Sequence, residues 1–242
     1  FLMGFVATIA PNAEQDTNEM VFLGQHTILL DVLQLGQSPT YENMHVRLYE
    51  GRAFVDANGT PTPPQWNGTD DWPVAPESVI DGVLESPASE TLDGYIADEG
   101  DGGTFVGRFG GSIPFYIVMY PLQDEHGLAH LRIHHPLVTM RFSADRRRVE
   151  SGVIAGFLNA EEITSETVRM MDAFDAKYCG SNTEQTLRVQ TQLQSDILLD
   201  GELDMTKTCD SFSIGLEFEA ERAEIGAIAA PAPPLWDPCA GP

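Results

Sequence analysis

Four of the six histidines in the chain crowd into one stretch, as His126, His130, His134 and His135. Imidazole ligates metals and exchanges protons near neutral pH, so spacing decides what such a cluster could do. On a helix, His126, His130 and His134 would stack on one face, and His126 with His130 would form a metal-ligating pair. On a strand, His130, Arg132 and His134 share a face, and the backbones of His130 and His134 stand about 13 Å apart, too far to hold one ion between them. Leu131 and Ile133 alternate with them, which favours the strand. A solvated polar face is then the plainer role, with His126 and His130 kept as metal candidates. The HExxH pattern is absent.

Carboxylates are the second source of chemistry. Asp98 and Asp101, Asp200 and Asp204, and Asp70 and Asp71 form acidic clusters that could supply oxygen ligands to Ca²⁺. Asp200-Gly201-Glu202-Leu203-Asp204 resembles part of a calcium turn, without the full EF-hand spacing. In a chain with 37 acidic residues such near-matches also arise by chance. Trp66 and Trp72 flank Asp70 and Asp71. An exposed tryptophan pair beside carboxylates suits sugar binding, and the alternative is that both rings anchor a loop. Hydrolase signatures fail: Gly110-Gly111-Ser112 runs on into Ile113-Pro114, which is not GxSxG. There is no phosphate loop or dinucleotide fingerprint. No residue is singled out as catalytic.

Cys179, Cys209 and Cys239 sit in no CxxC pattern, against a thioredoxin-type site or a zinc knuckle. A Cys179–Cys209 bridge would close a loop of about 30 residues and remove about 3–4 kcal/mol of unfolded-chain entropy. It would imply an oxidising compartment. Cys239 is then odd, and pairing with either of the others stays open.

These groups need a scaffold. Residues 1–10, 20–35 and 45–55 read as strands, and strands resume at Thr104 in close succession to about residue 145, with 141–152 a hairpin connection and 153–160 leading into helices. That rhythm predicts a mainly β fold, an antiparallel sandwich or barrel, in a single domain over 1–242. Residues 56–103 read as a long irregular surface excursion, dense in Asn-Gly and proline turns. Asn159 with Glu162, and Ser181 with Glu184, are capping signals that open two helices in an insertion near 159–195. Phe212, Ile214, Leu216 and Phe218 then alternate with polar residues and glycine as a further strand. The tail 227–242 is proline-rich and extended.

Thirteen basic residues leave a formal net charge of −24. Nucleic acid and anionic lipid surfaces are thereby disfavoured, while cations and basic partners are attracted. No apolar run is long enough for a membrane span. The opening FLMGFVATIA resembles the core of a signal peptide but lacks a basic region, and reads as a strand of a trimmed product with an export or lipid-anchor segment upstream.

The order RFSADRRRVESGVIAGFLNAEEI at 141–163, SDILLDG at 195–201 and TCDSFSIGLEFEAERAEIG at 208–226 resembles the C-terminal part of uncharacterised secreted or lipoprotein-type β-domain proteins of myxobacteria and related Gram-negative bacteria. Arg146 departs from the glycine usual there. The resemblance implies export and a β-domain and brings no activity. The resulting expectation is a non-catalytic extracellular, cell-surface or periplasmic binding or assembly subunit, with another protein or a larger assembly as partner. A carbohydrate-binding domain, with Ca²⁺ or without a cofactor, and an extracellular hydrolase are the alternatives.

Overall fold

The computed structural model describes residues 12–231 except 37, 39, 57–59, 61, 98–101, 119–127 and 203. It is mainly β, built on a mixed ten-stranded sheet that does not close. The chain begins with α1 (Ala13–Phe22), β1 (Thr27–Val32) and β2 (Val46–Gly51). The expected strand over 20–35 is therefore partly helix. Ala13 and Met20 bury one side of α1, and Gly24, at φ +75°, turns the chain into β1. The strand expected over 1–10 lies outside the described residues.

Residues 56–103 are more ordered than the turn signals suggest. They contain β3 (Asp71–Val74), β4 (Val79–Ile80), β5 (Val83–Pro87) and β6 (Ser89–Ala97). β4 and β5 form a separate small hairpin, while β3 and β6 both join the main sheet. Dense turn residues imitate continuous irregularity here, although the segments between them are short strands.

β7 (Thr104–Phe109) and β8 (Ser112–Val118) lie end to end along one side of the long β9 (Leu128–Phe142). β10 (Arg148–Asn159) pairs along its other side. A single line of irregularity crosses all of them. Gly110 and Gly111 separate β7 from β8, His135 takes φ +48° before Pro136, and the β9–β10 register slips between Ala155 and Phe157. Bulges of this kind bend a sheet and re-aim its side chains. Gly111, at φ +75°, has no room for a side chain, since a Cβ would lie 2.4 Å from the Ala88 carbonyl oxygen.

Between β10 and β11 (Ser211–Glu221) the chain forms α2 (Ala160–Phe174) and α3 (Asn182–Leu193). Asn159 Oδ1 accepts from the amides of Glu161 and Glu162 at 2.8 and 3.2 Å, and Ser181 Oγ accepts from the Glu184 amide at 3.3 Å. β12 (Glu224–Ile228) then pairs in parallel with β3, so residues 227 and 228, expected to open the extended tail, are strand. One core gathers Val46, Leu48, Phe105, Ile133, Met140 and Leu158 from four strands, and a smaller one holds Leu29, Tyr49, Trp72, Val74 and Val79. Among the described residues no helix is long and apolar enough to cross a membrane.

Candidate functional site

β6 pairs with β2 only at Arg47 and Leu48, so the remainder of β2 runs on without that neighbour. β8 lies near it but shares no ladder with it. A cavity of about 460 Å³ opens in this region. Three strands line it with alternate residues, as the two-residue period requires. β2 and the residue after it supply Leu48, Glu50 and Arg52, β8 supplies Ser112, Pro114 and Tyr116, and β9 supplies His130 and Arg132. The β8–β9 register sets Pro114 opposite Arg132 and Tyr116 opposite His130. Leu131, between His130 and Arg132, also reaches it, and Glu77, Ser78, Ala88, Ser89 and Gly111 complete the wall.

Glu50 is 3% exposed. Its amide donates to Ser78 Oγ at 2.8 Å, and its carbonyl accepts from the Ala75 amide at 2.8 Å. Its carboxylate pairs with Arg52 Nη1 at 3.0 Å, and Arg52 Nη2 donates to Glu77 Oε2 at 2.7 Å. Burial raises the Glu50 carboxyl above its ordinary range, with Arg52 opposing. Tyr116 hydrogen-bonds that carboxylate, and burial and the Glu50 charge push its phenol up. The Tyr116 ring stands edge-on between two imidazoles, 4.1 Å from His26 and 4.4 Å from His130. Burial, with Arg52 and His130 adding to it, lowers His26 to about 3. Burial lowers His130 to about 4 against the pull of Glu166. Both rings are neutral at physiological pH.

The wall is incompletely paired. Glu50 Oε1 accepts no aligned hydrogen bond despite its ion pair, and Arg52 Nε and His130 Nε2 are buried without a hydrogen-bond partner among the described residues. Buried polar atoms in folded proteins are overwhelmingly partnered, and three exceptions gathered at one place call for a partner from outside the chain, a water or a ligand. The back of His130 is held by α2, where Glu166 Oε2 accepts from its amide at 2.9 Å and also binds Arg169 at 2.9 Å.

His130 and Arg132 do share the strand face expected of them. His130 is not simply solvated, however, because α2 and Tyr116 enclose it. His126, Asp98, Asp101 and Cys239 lie outside the described residues. Asp200 accepts from the Glu202 amide at 2.9 Å and from Lys207 Nζ at 3.2 Å, while Asp204 accepts from the amide and hydroxyl of Thr206. Each aspartate thus closes its own turn. Among the described residues no group of three or more His, Cys, Asp or Glu could hold a metal ion.

The tryptophan pair is corrected as a ligand surface. Trp72 is 1% exposed inside the smaller core, and Trp66 packs on it at 5.9 Å with Nε1 donating to the Phe22 carbonyl at 3.3 Å. Asp70 is buried and accepts from the Gln65 amide at 2.8 Å, while Asp71 starts β3 on the surface. These residues anchor the loop, because indole area stabilises more when buried than when exposed.

The Cys179–Cys209 bridge is also corrected: Cys209 is a free thiol, and Cys179 is disulfide-bonded. Hydrogen bonds, not that bridge, tie the segment before β11 to its start. Ile197 bridges Ser211, Asp210 Oδ1 accepts from the Leu199 amide at 2.8 Å, and the Asp196 carboxylate takes the amide and hydroxyl of Ser213 at 2.9 and 2.8 Å.

Glu50, Arg52, Tyr116 and His26 are not singled out by the sequence. The one signal is Leu48-x-Glu50-x-Arg52, where charge occupies the core-facing phase of a strand. No protein-family model, curated protein or solved structure matches the chain.

Proposed function

We propose that this chain is a non-catalytic binding domain of an exported protein and that the cavity between β2 and β8 is its site for a small hydroxylated ligand, of the saccharide class. The observation that carries this reading is the convergence of Glu50 Oε1, Arg52 Nε and His130 Nε2, buried and short of hydrogen-bond partners, on one cavity. Carboxylate, guanidinium, imidazole and serine hydroxyl are the groups that exchange hydrogen bonds with sugar hydroxyls. A cavity of about 460 Å³ falls in the range of small-ligand sites. The carbohydrate reading is thus kept, with its address moved from the tryptophans. Export is supported by the acidic composition and by the bonded Cys179.

The test is calorimetry and thermal shift against a panel of neutral and acidic mono- and disaccharides. Saturable binding is expected for the native chain and its loss for Ser112→Phe, which fills the cavity. Failure of every sugar to bind, or undiminished binding to Ser112→Phe with its fold intact, overturns the reading.

The neutral His130 beside a carboxyl that holds its proton unusually well favours one second reading, hydrolysis of an extracellular polymer. It predicts release of reducing ends from a polysaccharide, abolished by Glu50→Gln. Binding without turnover removes it.

A further inference from the structure

We infer that the ligand is a small hydroxylated carboxylate of the sugar-acid type, its carboxylate held by Arg132 and Ser112 at the mouth of the cavity and its hydroxyls directed inward. This rests on the cavity being the ligand site.

The argument starts from where the scarce positive charges go. All thirteen Lys and Arg are among the described residues. Ten pair with a carboxylate within 4.0 Å. Arg146 commits its guanidinium to the carbonyls of Gly36, Ser38 and Gly102 at 2.6, 2.7 and 2.8 Å. Arg147 lies on an exposed hairpin turn. Arg132 is the remaining one and the only one of these three that lines the cavity. Among the described residues it has no carboxylate partner, and its one hydrogen bond is a long contact of 3.5 Å from Nη1 to Ser112 Oγ. In so acidic a chain a guanidinium with no carboxylate in ion-pair contact, acting on Glu50 only at longer range, has its fork free for a carboxylate from outside.

The interior sets the orientation. The buried Glu50 shares the single guanidinium of Arg52 with Glu77, whose side chain is about half exposed, so the inner carboxylate is Glu50, which repels a second anion and accepts from hydroxyl groups. Charge at the mouth and hydroxyls within is the arrangement that leaves neither end unpaired.

D-glucuronate and D-glucose are suitable probes, because they differ only where Arg132 should read them. Glucuronate should bind at least about tenfold more tightly than glucose and lose that margin between about 50 mM and about 500 mM sodium chloride. Arg132→Gln should reduce glucuronate to the level of glucose, and Arg132→Lys should restore part of the difference. The melting temperature of each variant, unchanged for an exposed side chain, reports on the fold. Equal affinity for the two sugars, or full glucuronate affinity in Arg132→Gln, overturns the carboxylate assignment and leaves a neutral sugar site standing. Binding of neither sugar by the native chain overturns this inference; if no other member of the saccharide panel binds, the reading beneath it falls too.

Discussion

Acidification from about pH 7.5 to about pH 5 should weaken this fold, and two histidines should account for most of the loss. His26 falls from its ordinary 6.5 to about 3, and His130 from 6.5 to about 4. Both pKa values are depressed on folding, so the unfolded chain takes up protons near 6.5 while the folded chain does not. Stability is therefore complete above 6.5 and declines as pH drops, until it levels off below the folded values. Some of the His26 residue surface reaches solvent, but the ring is enclosed by Tyr116 and hydrogen-bonded to the Gly51 backbone. At about 1.4 kcal/mol per pH unit, it contributes about 2 kcal/mol of loss by pH 5. His130 is more open, and screening reduces its share to about 1 kcal/mol. Arg52, Arg169 and Glu166 are the charged groups that act on these rings. Glu50, with a raised carboxyl, works in the opposite direction toward the acid end, and the exposed Asp93 and Asp145, with lowered values, lose their contribution only below it. Urea unfolding followed by far-ultraviolet circular dichroism at constant ionic strength measures the effect. The native chain should lose about 3 kcal/mol, a large share of the roughly 5–15 kcal/mol typical of a domain. His26→Gln, which keeps a donor for the Gly51 carbonyl, should lose only about 1 kcal/mol over the same range. A flat profile for the native chain, or one equally steep in His26→Gln, would refute the claim that these rings are buried neutral.

Arg52→Met should destabilise the fold by about 3 kcal/mol near neutral pH, because it strands the Glu50 carboxylate in the protein interior. The deficit in urea midpoint should shrink on acidification, as Glu50 takes up a proton. Gly111→Ala should cost about 2 kcal/mol or more, since the residue combines φ +75° with a Cβ position 2.4 Å from a carbonyl oxygen. Chemical unfolding that finds it neutral would count against the β7–β8 break as described. Alkylation of the unfolded chain without reductant should label Cys209 and leave Cys179 unmodified until a reductant is added, and the reverse pattern in peptide mapping would contradict the free thiol.

What can be read directly from the residues is whatever depends on near neighbours. The caps at Asn159 and Ser181 work within three residues of themselves, and the period-2 alternation around Arg132 needs only one strand. Trp66 and Trp72 leave two roles open, a sugar surface or a loop anchor, and only the burial of Trp72 with Trp66 packed on it decides for the anchor. The first helix is less visible: AEQDTNEMVF buries only Ala13 and Met20, so its apolar periodicity is faint, and the strong β run after Gly24 masks where the helix ends. The disulfide cannot be assigned either, since spacing along the chain says nothing of which sulfurs meet in space.

The cavity depends on something less local still. Glu50, Tyr116 and His130 are separated by 66 and 14 residues, and only sheet register brings them together. A slip of one residue in β8 against β9 would turn Tyr116 and Ser112 to the opposite face and bring the apolar Ile113 toward the cavity. What holds the register is the line of bulges through Gly111, His135-Pro136 and Gly156. Each of these looks like a strand-breaker in isolation, and Gly110-Gly111-Ser112 looks like nothing more than a failed nucleophile motif. A Cβ on Gly156 would meet the His134 carbonyl oxygen at 2.6 Å, so this glycine too is required by the crossing of strands. The glycines thus shape the site, and Gly111 also lines it. They let the end of β2 and β8 run side by side without pairing, and the space left there is where the unpaired polar atoms collect.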